Sequence, residues 1–224
     1  MMGESKKIFK YPIREENSMN LFLTQNAAFE YENKLTESQT IFSFEVSTFG
    51  GRQFLVASIT DFIQFYMNQK VKNMYEVIAE CKRVKLFFDL EYSKTLNHGR
   101  DGSSMVKRLI EIVREKLNIN YGVQVSNKEC LCLEASDSRK YSVHLIFFTV
   151  TFDTIMDCGS FVKEMLTQMK TEDLKYFEVQ AASCGKSVPV QKSFVDQCIH
   201  TPNRQFWIFL SSKFKQSVPC SLFT

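Results

Sequence analysis

The run Val84-Lys85-Leu86-Phe87-Phe88-Asp89-Leu90-Glu91 reads as a strongly apolar strand closing on two carboxylates. Side chains alternate along a strand, so Val84, Leu86, Phe88 and Leu90 share one face and Lys85, Phe87, Asp89 and Glu91 the other. Two carboxylates pointing the same way off a rigid strand repel each other unless a proton or cation lies between them. A solvated acidic turn explains one such pair as well. The alternative is a hard divalent cation such as Mg2+ or Mn2+, whose preferred ligands are carboxylate oxygens.

A chain of 224 residues that is 44% hydrophobic and holds 21 Phe has ample material for a core, and 8 Gly with 4 Pro leave little for long linkers. The net charge of +3 is compatible with a polyanionic partner without pointing to one. The 7 Cys include no Cys-x-x-Cys pair. Cys130 and Cys132 lie on one strand face but are too few for a structural zinc site, so reduced thiols in an intracellular protein are expected. Residues 1–15 contain no secretion signal, and the cations Lys6, Lys7, Lys10 and Arg14 are interrupted by Glu4 and Glu15, which gives weak support to a mitochondrial presequence. No apolar run reaches membrane-spanning length.

Periodicity gives an α+β order. A helix is expected over Ser18–Lys34 and strands over Ile41–Ser47 and Phe54–Ser58, joined by a turn at Gly50-Gly51. Thr60 is placed to cap a short helix carrying Phe62, Ile63, Tyr66 and Met67. Strands at Tyr75–Ala79 and Val84–Glu91 precede a helix that opens at Ser104, whose stripe of Met105, Leu109, Ile112, Val113 and Leu117 is core. Strands follow at Glu129–Ala135 and Ser142–Phe152, then a helix over Gly159–Lys170, then strands at Lys175–Gln180, Lys192–Ile199 and Gln205–Leu210. From Val84 the order β-α-β-β-α-β-β-β is close to a ferredoxin-like split βαβ with added strands.

Three further constellations carry chemistry. Lys140, Ser142 and His144 share one face of their strand, a file of donors suited to phosphate oxygens. Asp196 stands alone among Phe194, Val195 and Cys198, where an unpaired charge is costly. Arg204, Phe206, Trp207, Lys213, Phe214 and Lys215 interleave cations with aromatics, a composition shared by nucleotide-binding surfaces and solvated faces.

In the order D-x-E, S-x-H, single Asp, then Arg and Lys, the chain resembles the archaeo-eukaryotic primase superfamily, and within it the eukaryotic primase-polymerases, the PrimPol family. The resemblance runs from about Arg52 to Lys213 through Tyr75-Glu76-Val77-Ile78, Lys85 to Glu91, Ser142 to Phe147, Phe194-Val195-Asp196 and Ser211-Ser212-Lys213. It implies an α+β primase catalytic core of two mixed modules, residues 1–82 on the template side and 83–224 an RRM-like, ferredoxin-like module around the metal site. The implied activity is template-dependent nucleotidyl transfer, as DNA primase and polymerase, in replication restart and damage tolerance. Implied cofactors are two Mn2+ or Mg2+ ions held by Asp89, Glu91 and Asp196. Lys140, Ser142, His144, Arg204 and Lys213 match positions that hold the incoming nucleotide, Tyr75 a position near its sugar, and Arg52 a template contact. Implied partners are a single-stranded DNA template and primer with dNTP or NTP, and single-strand-binding proteins through segments outside this chain. The implied compartments are the nucleus and mitochondrion.

The chain departs from the family in carrying Trp207 where a basic residue is usual, and in a short stretch between His144 and Asp196. No Cys/His cluster follows Lys213 to match the family's zinc module, so primer extension is implied more firmly than primer initiation. Three other readings compete. A DEDD-type 3′–5′ exonuclease requires an Asp five residues after a later His, yet Thr149 and Gln205 stand at that offset from His144 and His200. A non-catalytic nucleic-acid-binding module with an RNA-recognition-like sheet would favour exposed aromatics over carboxylates on its central strands. A degenerate, catalytically dead paralogue of the family stays open because of Trp207 and the unmatched zinc module.

Overall fold

A computed structural model of the chain describes residues 19–37, 39–47, 49–182, 189–213 and 219–222. It is a mixed α+β structure built on antiparallel strand pairs. The first element among the described residues is the strand β1 (Asn20–Phe22), not a helix, and α1 is confined to Gln25–Glu32. Two forces override the helical periodicity. Asn20, Leu21 and Phe22 pair with Val56, Leu55 and Phe54, and the Thr24 hydroxyl accepts from Ala27 N, starting the helix late. Ser18, the expected start, lies outside the described residues.

β2 (Thr40–Glu45) and β3 (Arg52–Ala57) form the expected hairpin, with Gly50 at φ +81° in its turn. That left-handed conformation favours glycine. α2 (Ile59–Met67) is capped by Ser58 and not by Thr60: Ser58 Oγ accepts from Asp61 N, which places an acid in the first turn. β4 (Met74–Ile78) lies beside β2. Phe42 and Phe44 pack on one side with Phe62, Phe65 and Tyr66 of α2. Ile41, Phe54 and Val56 pack on the other with Ala28 of α1. This sheet is covered on both faces.

β5 (Val84–Ser93) leads into α3 (Gly102–Tyr121), whose start is moved ahead of Ser104 because Asp101 accepts from Ser103 N and Ser104 N. Gly102 is required here: a Cβ would fall 2.4 Å from the Tyr141 ring, which itself stacks on Tyr92 at 5.1 Å. β6 (Cys130–Glu134) and β7 (Lys140–Phe152) follow, with β7 lying between β6 and β5. α4 (Ile155–Thr167) starts at its Thr154 cap, ahead of the expected Gly159. A short helix α5 (Thr171–Tyr176) occupies the front of the expected strand, leaving β8 (Glu178–Ala181) paired with β9 (Val190–Ser193).

The expected strand over Lys192–Ile199 also breaks. It ends at Ser193, and Asp196 caps a 3-10 turn at Gln197–Ile199. β10 (Arg204–Trp207) returns to the first sheet, in the order β1-β3-β2-β4-β10, and β11 (Ser221–Leu222) completes the order β11-β6-β7-β5. The chain divides into two compact units. One runs up to Val77 and takes in the stretch from Gln205 to Ser217; the other holds Ile78–Arg204 and the residues from Val218. Among the described residues no helix is long and apolar enough to cross a membrane.

α3 and α5 are joined by a two-point ion pair, Arg108 Nε to Asp173 Oδ1 at 2.8 Å and Nη2 to Oδ2 at 2.9 Å. The guanidinium holds the Asp173 carboxyl below its ordinary range. A carboxyl with a depressed folded pKa stabilises the fold above its unfolded pKa, and that contribution is lost as pH falls through the folded value. Asp173→Asn is expected to cost about 1 kcal/mol at pH 7. In urea unfolding, the gap from wild type should close under acid conditions where Asp173 itself is protonated.

Candidate active site

The alternation expected of β5 is present. Val84, Leu86, Phe88, Leu90 and Tyr92 are buried, while Asp89, Glu91 and Ser93 lie partly open on the other face. Across the ladder Asp89 faces His144, Glu91 faces Ser142 and Ser93 faces Lys140. The acid file of one strand and the donor file of the next therefore share a single surface of the sheet.

Its electrostatics are uneven. Glu91 is held by two lysines, Lys140 Nζ on Oε2 and Lys192 Nζ on Oε1 at 3.2 Å. Burial pushes its carboxyl up, but the two ammonium groups outweigh that and hold it below the ordinary range. Asp89 is relieved less: the same two lysines lower its carboxyl through space without bonding to it. Its Oδ1 is buried without a hydrogen-bond partner among the described residues, and its carboxyl is pushed up to about 7 by burial and then by the Glu91 charge. His144 Nε2 lies 3.7 Å from that oxygen, and Nδ1 lies 4.0 Å from the buried Cys220 Sγ. Burial, followed by the Lys140 charge, lowers His144 to about 4, so it is neutral at physiological pH. Ser142 is buried beside it, and its main chain binds the Ser136 hydroxyl.

Asp196 reaches this edge without belonging to a strand. Glu91 N donates to Phe194 O, Asp196 N donates to Asp89 O at 3.0 Å, and Val195 bridges Leu90. The Phe194–Asp196 segment thus lines the edge of β5 opposite β7. The following turn is tied down by buried His200, whose Nε2–H donates to Phe87 O at 2.8 Å. It is also pressed by Gly159 of α4, where a Cβ would lie 2.9 Å from His200 Cβ. Asp196 Oδ1 accepts from Cys198 N. Arg204, in the same unit, is exposed and donates to Thr201 Oγ1.

The other expected site residues lie in the first unit. Tyr75 is buried and its hydroxyl donates to Glu45 Oε1 at 2.7 Å. The Arg52 guanidinium sits 4.5 Å from the Tyr75 ring centre and pairs with the same Glu45 oxygen at 3.4 Å. Trp207 meets Tyr75 edge-on at 6.0 Å, and Lys213 Nζ lies 5.8 Å from the centre of the Trp207 ring. Phe214 and Lys215 lie outside the described residues.

One unit thus gathers Asp89, Glu91, Asp196, Lys140, Ser142 and His144, and the other gathers Arg52, Tyr75 and Lys213. Sequence reasoning missed Lys192, Cys220 and Glu45. The first two are distant in sequence from the residues they meet. Glu45 ends β2, inside the expected strand Ile41–Ser47, and belongs to no motif. Among the described residues no group of three or more His, Cys, Asp or Glu side chains is gathered tightly enough to hold a metal ion. The donor set nonetheless fits a hard cation: an unanswered buried carboxylate oxygen on Asp89, a second carboxylate two residues on, and a third whose backbone is bonded to Asp89.

The strain at Asp89 has a measurable consequence. Asp89→Asn removes the charge repelled by Glu91 and should stabilise the protein by about 1–2 kcal/mol in chelator at pH 8. Urea unfolding measures it, and a loss of stability would show that the charge is already balanced.

No family model matches the chain. Among curated proteins it is 32% identical over 232 residues to the DNA-directed primase/polymerase protein of Danio rerio, covering 90% of this chain and 44% of that protein. The protein of the same name from Gallus gallus is 35% identical over 162 residues, 69% of this chain and 28% of that one. That of Homo sapiens is 37% identical over 150 residues, 65% of this chain and 27% of the relative. The chain spans less than half the length of the curated relatives it matches.

Proposed function

The chain is homologous to the DNA-directed primase/polymerases over most of its own length, and we propose that it is a template-dependent nucleotidyltransferase. Its substrates are a primed single-stranded DNA template and dNTP or NTP, and its role lies in replication restart and damage tolerance, in the nucleus and mitochondrion. The sheet β11-β6-β7-β5 with α3 and α4 is read as the RRM-like, ferredoxin-like catalytic module, and the first unit as the template-side module. The observation that carries the reading is the pair of carboxylates forced onto one face of β5, with a buried oxygen of Asp89 left unanswered.

Asp89, Glu91 and Asp196 are the residues that would hold Mn2+ or Mg2+. When bound, such ions would supply activation of the attacking 3′ oxygen and charge to the leaving pyrophosphate. The side chains do the positioning. Lys140 and Lys192 neutralise Glu91 here, and each ammonium group can turn its remaining donors to phosphate oxygens. His144 offers a neutral imidazole in a dry setting, where a hydrogen bond to phosphate is stronger than in water. Arg204 and Lys213 are exposed cations suited to the triphosphate. Arg52 is the template contact and Tyr75 the sugar-side contact. Little acid–base chemistry is asked of these groups; orientation and charge supply most of the barrier reduction.

The test is extension of a labelled primer on a matched template with Mn2+. Wild type should incorporate nucleotides, and Asp89→Ala, Glu91→Ala and Asp196→Ala should each lose incorporation while remaining folded. Absence of wild-type extension would favour the paralogue that binds nucleic acid without turnover.

The same assay separates phosphate from template contacts. Lys140→Ala and His144→Ala should raise the nucleotide KM more than they weaken template binding. Template binding should weaken with salt at a log–log slope of about −0.7 per neutralised phosphate. An unchanged KM with weakened template binding would move both residues to the template side.

A further inference from the structure

Arg52 and Tyr75 belong to different strands and have different proposed roles, yet one carboxylate holds both. We propose that Glu45 is a positioning residue that locks Arg52 and Tyr75 into one unit, so that template-side and nucleotide-side contacts respond together. The proposal rests on the roles given above to those two residues.

Glu45 is itself firmly placed. It stands directly across the β2–β3 ladder from Arg52. Its backbone is clamped by Asn73, whose Nδ2 donates to Glu45 O at 2.6 Å and whose carbonyl accepts from Glu45 N at 3.3 Å. The side chain is only 13% exposed, so its charge is weakly screened. Oε1 takes the Tyr75 hydroxyl at 2.7 Å and Arg52 Nη2 at 3.4 Å.

The consequence for Tyr75 is a loss of freedom. Its hydroxyl proton goes to Glu45, and the Trp207 ring meets its ring edge-on. The phenol is therefore committed within the protein, and what it can present to a ligand is its ring. One face of that ring carries the Arg52 guanidinium. A guanidinium has five N–H donors, and the pairing with Glu45 uses one nitrogen, which leaves others for a template phosphate. A phosphate pulling on Arg52 would act against the carboxylate that orients Tyr75. Burial and then the Glu45 hydrogen bond raise the phenol's pKa, as expected for a neutral donor facing a carboxylate.

The test uses the full chain on a primed template. Glu45→Ala leaves both partners unanswered and should raise the nucleotide KM about tenfold, with a smaller change in kcat. Glu45→Gln keeps an acceptor oxygen for the phenol but drops the charge that holds Arg52, and should fall between the two. A double-mutant cycle of Arg52→Gln and Tyr75→Phe should show several-fold coupling in nucleotide KM with Glu45 present and none with Glu45→Ala. A purely structural role would lower the melting temperature and leave that coupling intact, which overturns the proposal.

Failure of the functional reading is separately visible as absence of wild-type extension. In that event the 13C resonance of the Tyr75 phenol carbon decides. A shift on Glu45→Gln and on Arg52→Gln supports the lock, and a phenol signal indifferent to both overturns it.

Discussion

Placing Asp89 and Glu91 two residues apart on a strand leaves their carboxylates no choice but to face the same way, and partial burial denies them full solvation. Everything around them can be read as an answer to that repulsion. Lys140 comes from the neighbouring β7, and Lys192 from β9, separated from Glu91 by 101 positions in the chain. Both go to Glu91. The remaining cost falls on Asp89, whose buried oxygen faces a neutral imidazole in place of a cation. Such an arrangement costs stability at Asp89 and leaves a partly buried negative charge that a cation would relieve.

How the donors are held follows from the same sheet. Tyr141 and Val143 anchor β7 on its buried face, with Tyr141 packed over Gly102 and stacked on Tyr92. Lys140, Ser142 and His144 therefore project from a strand whose other side cannot shift without opening the core. A glycine at the start of α3 thus governs how closely the helix approaches the site's supporting strand. Gly159 does the equivalent for α4 against the turn that follows Asp196.

What could be read from the sequence was what short-range periodicity encodes. The facing of Asp89 and Glu91, the donor file on β7, the Gly50 turn and the stripe of α3 all depend on alternation or on the 3.6-residue repeat. The failures share one cause. Asn20–Phe22 is a strand because β3 offers it an edge, and the Lys192–Ile199 run breaks because Phe194 and Asp196 bond to Phe177 and to β5 instead of extending the β8–β9 ladder. Lys192, Cys220 and Glu45 entered no motif because their partners are set by folding and not by spacing. Cap choice failed more locally: Ser58 over Thr60, and Asp101 over Ser104, are decided by which hydroxyl or carboxylate meets a free N–H.

The break at Asp196 has a chemical meaning beyond the missed strand. Inside a strand its side chain would be oriented by alternation alone, and its backbone would be spent on a continuous ladder. As the cap of a 3-10 turn it commits Oδ1 to Cys198 N, while its own N–H is bonded to the carbonyl of Asp89. Two of the three candidate carboxylates are thereby joined by a main-chain hydrogen bond. Their backbones move together. Turn residues are ordinarily tolerant of change, but this one is fixed at both ends, by Asp89 O before the turn and by His200 on Phe87 O after it. A carboxylate carried on a turn is thus clamped like one on a strand: its backbone is held beside the rigid sheet and one of its oxygens is held by the turn it caps.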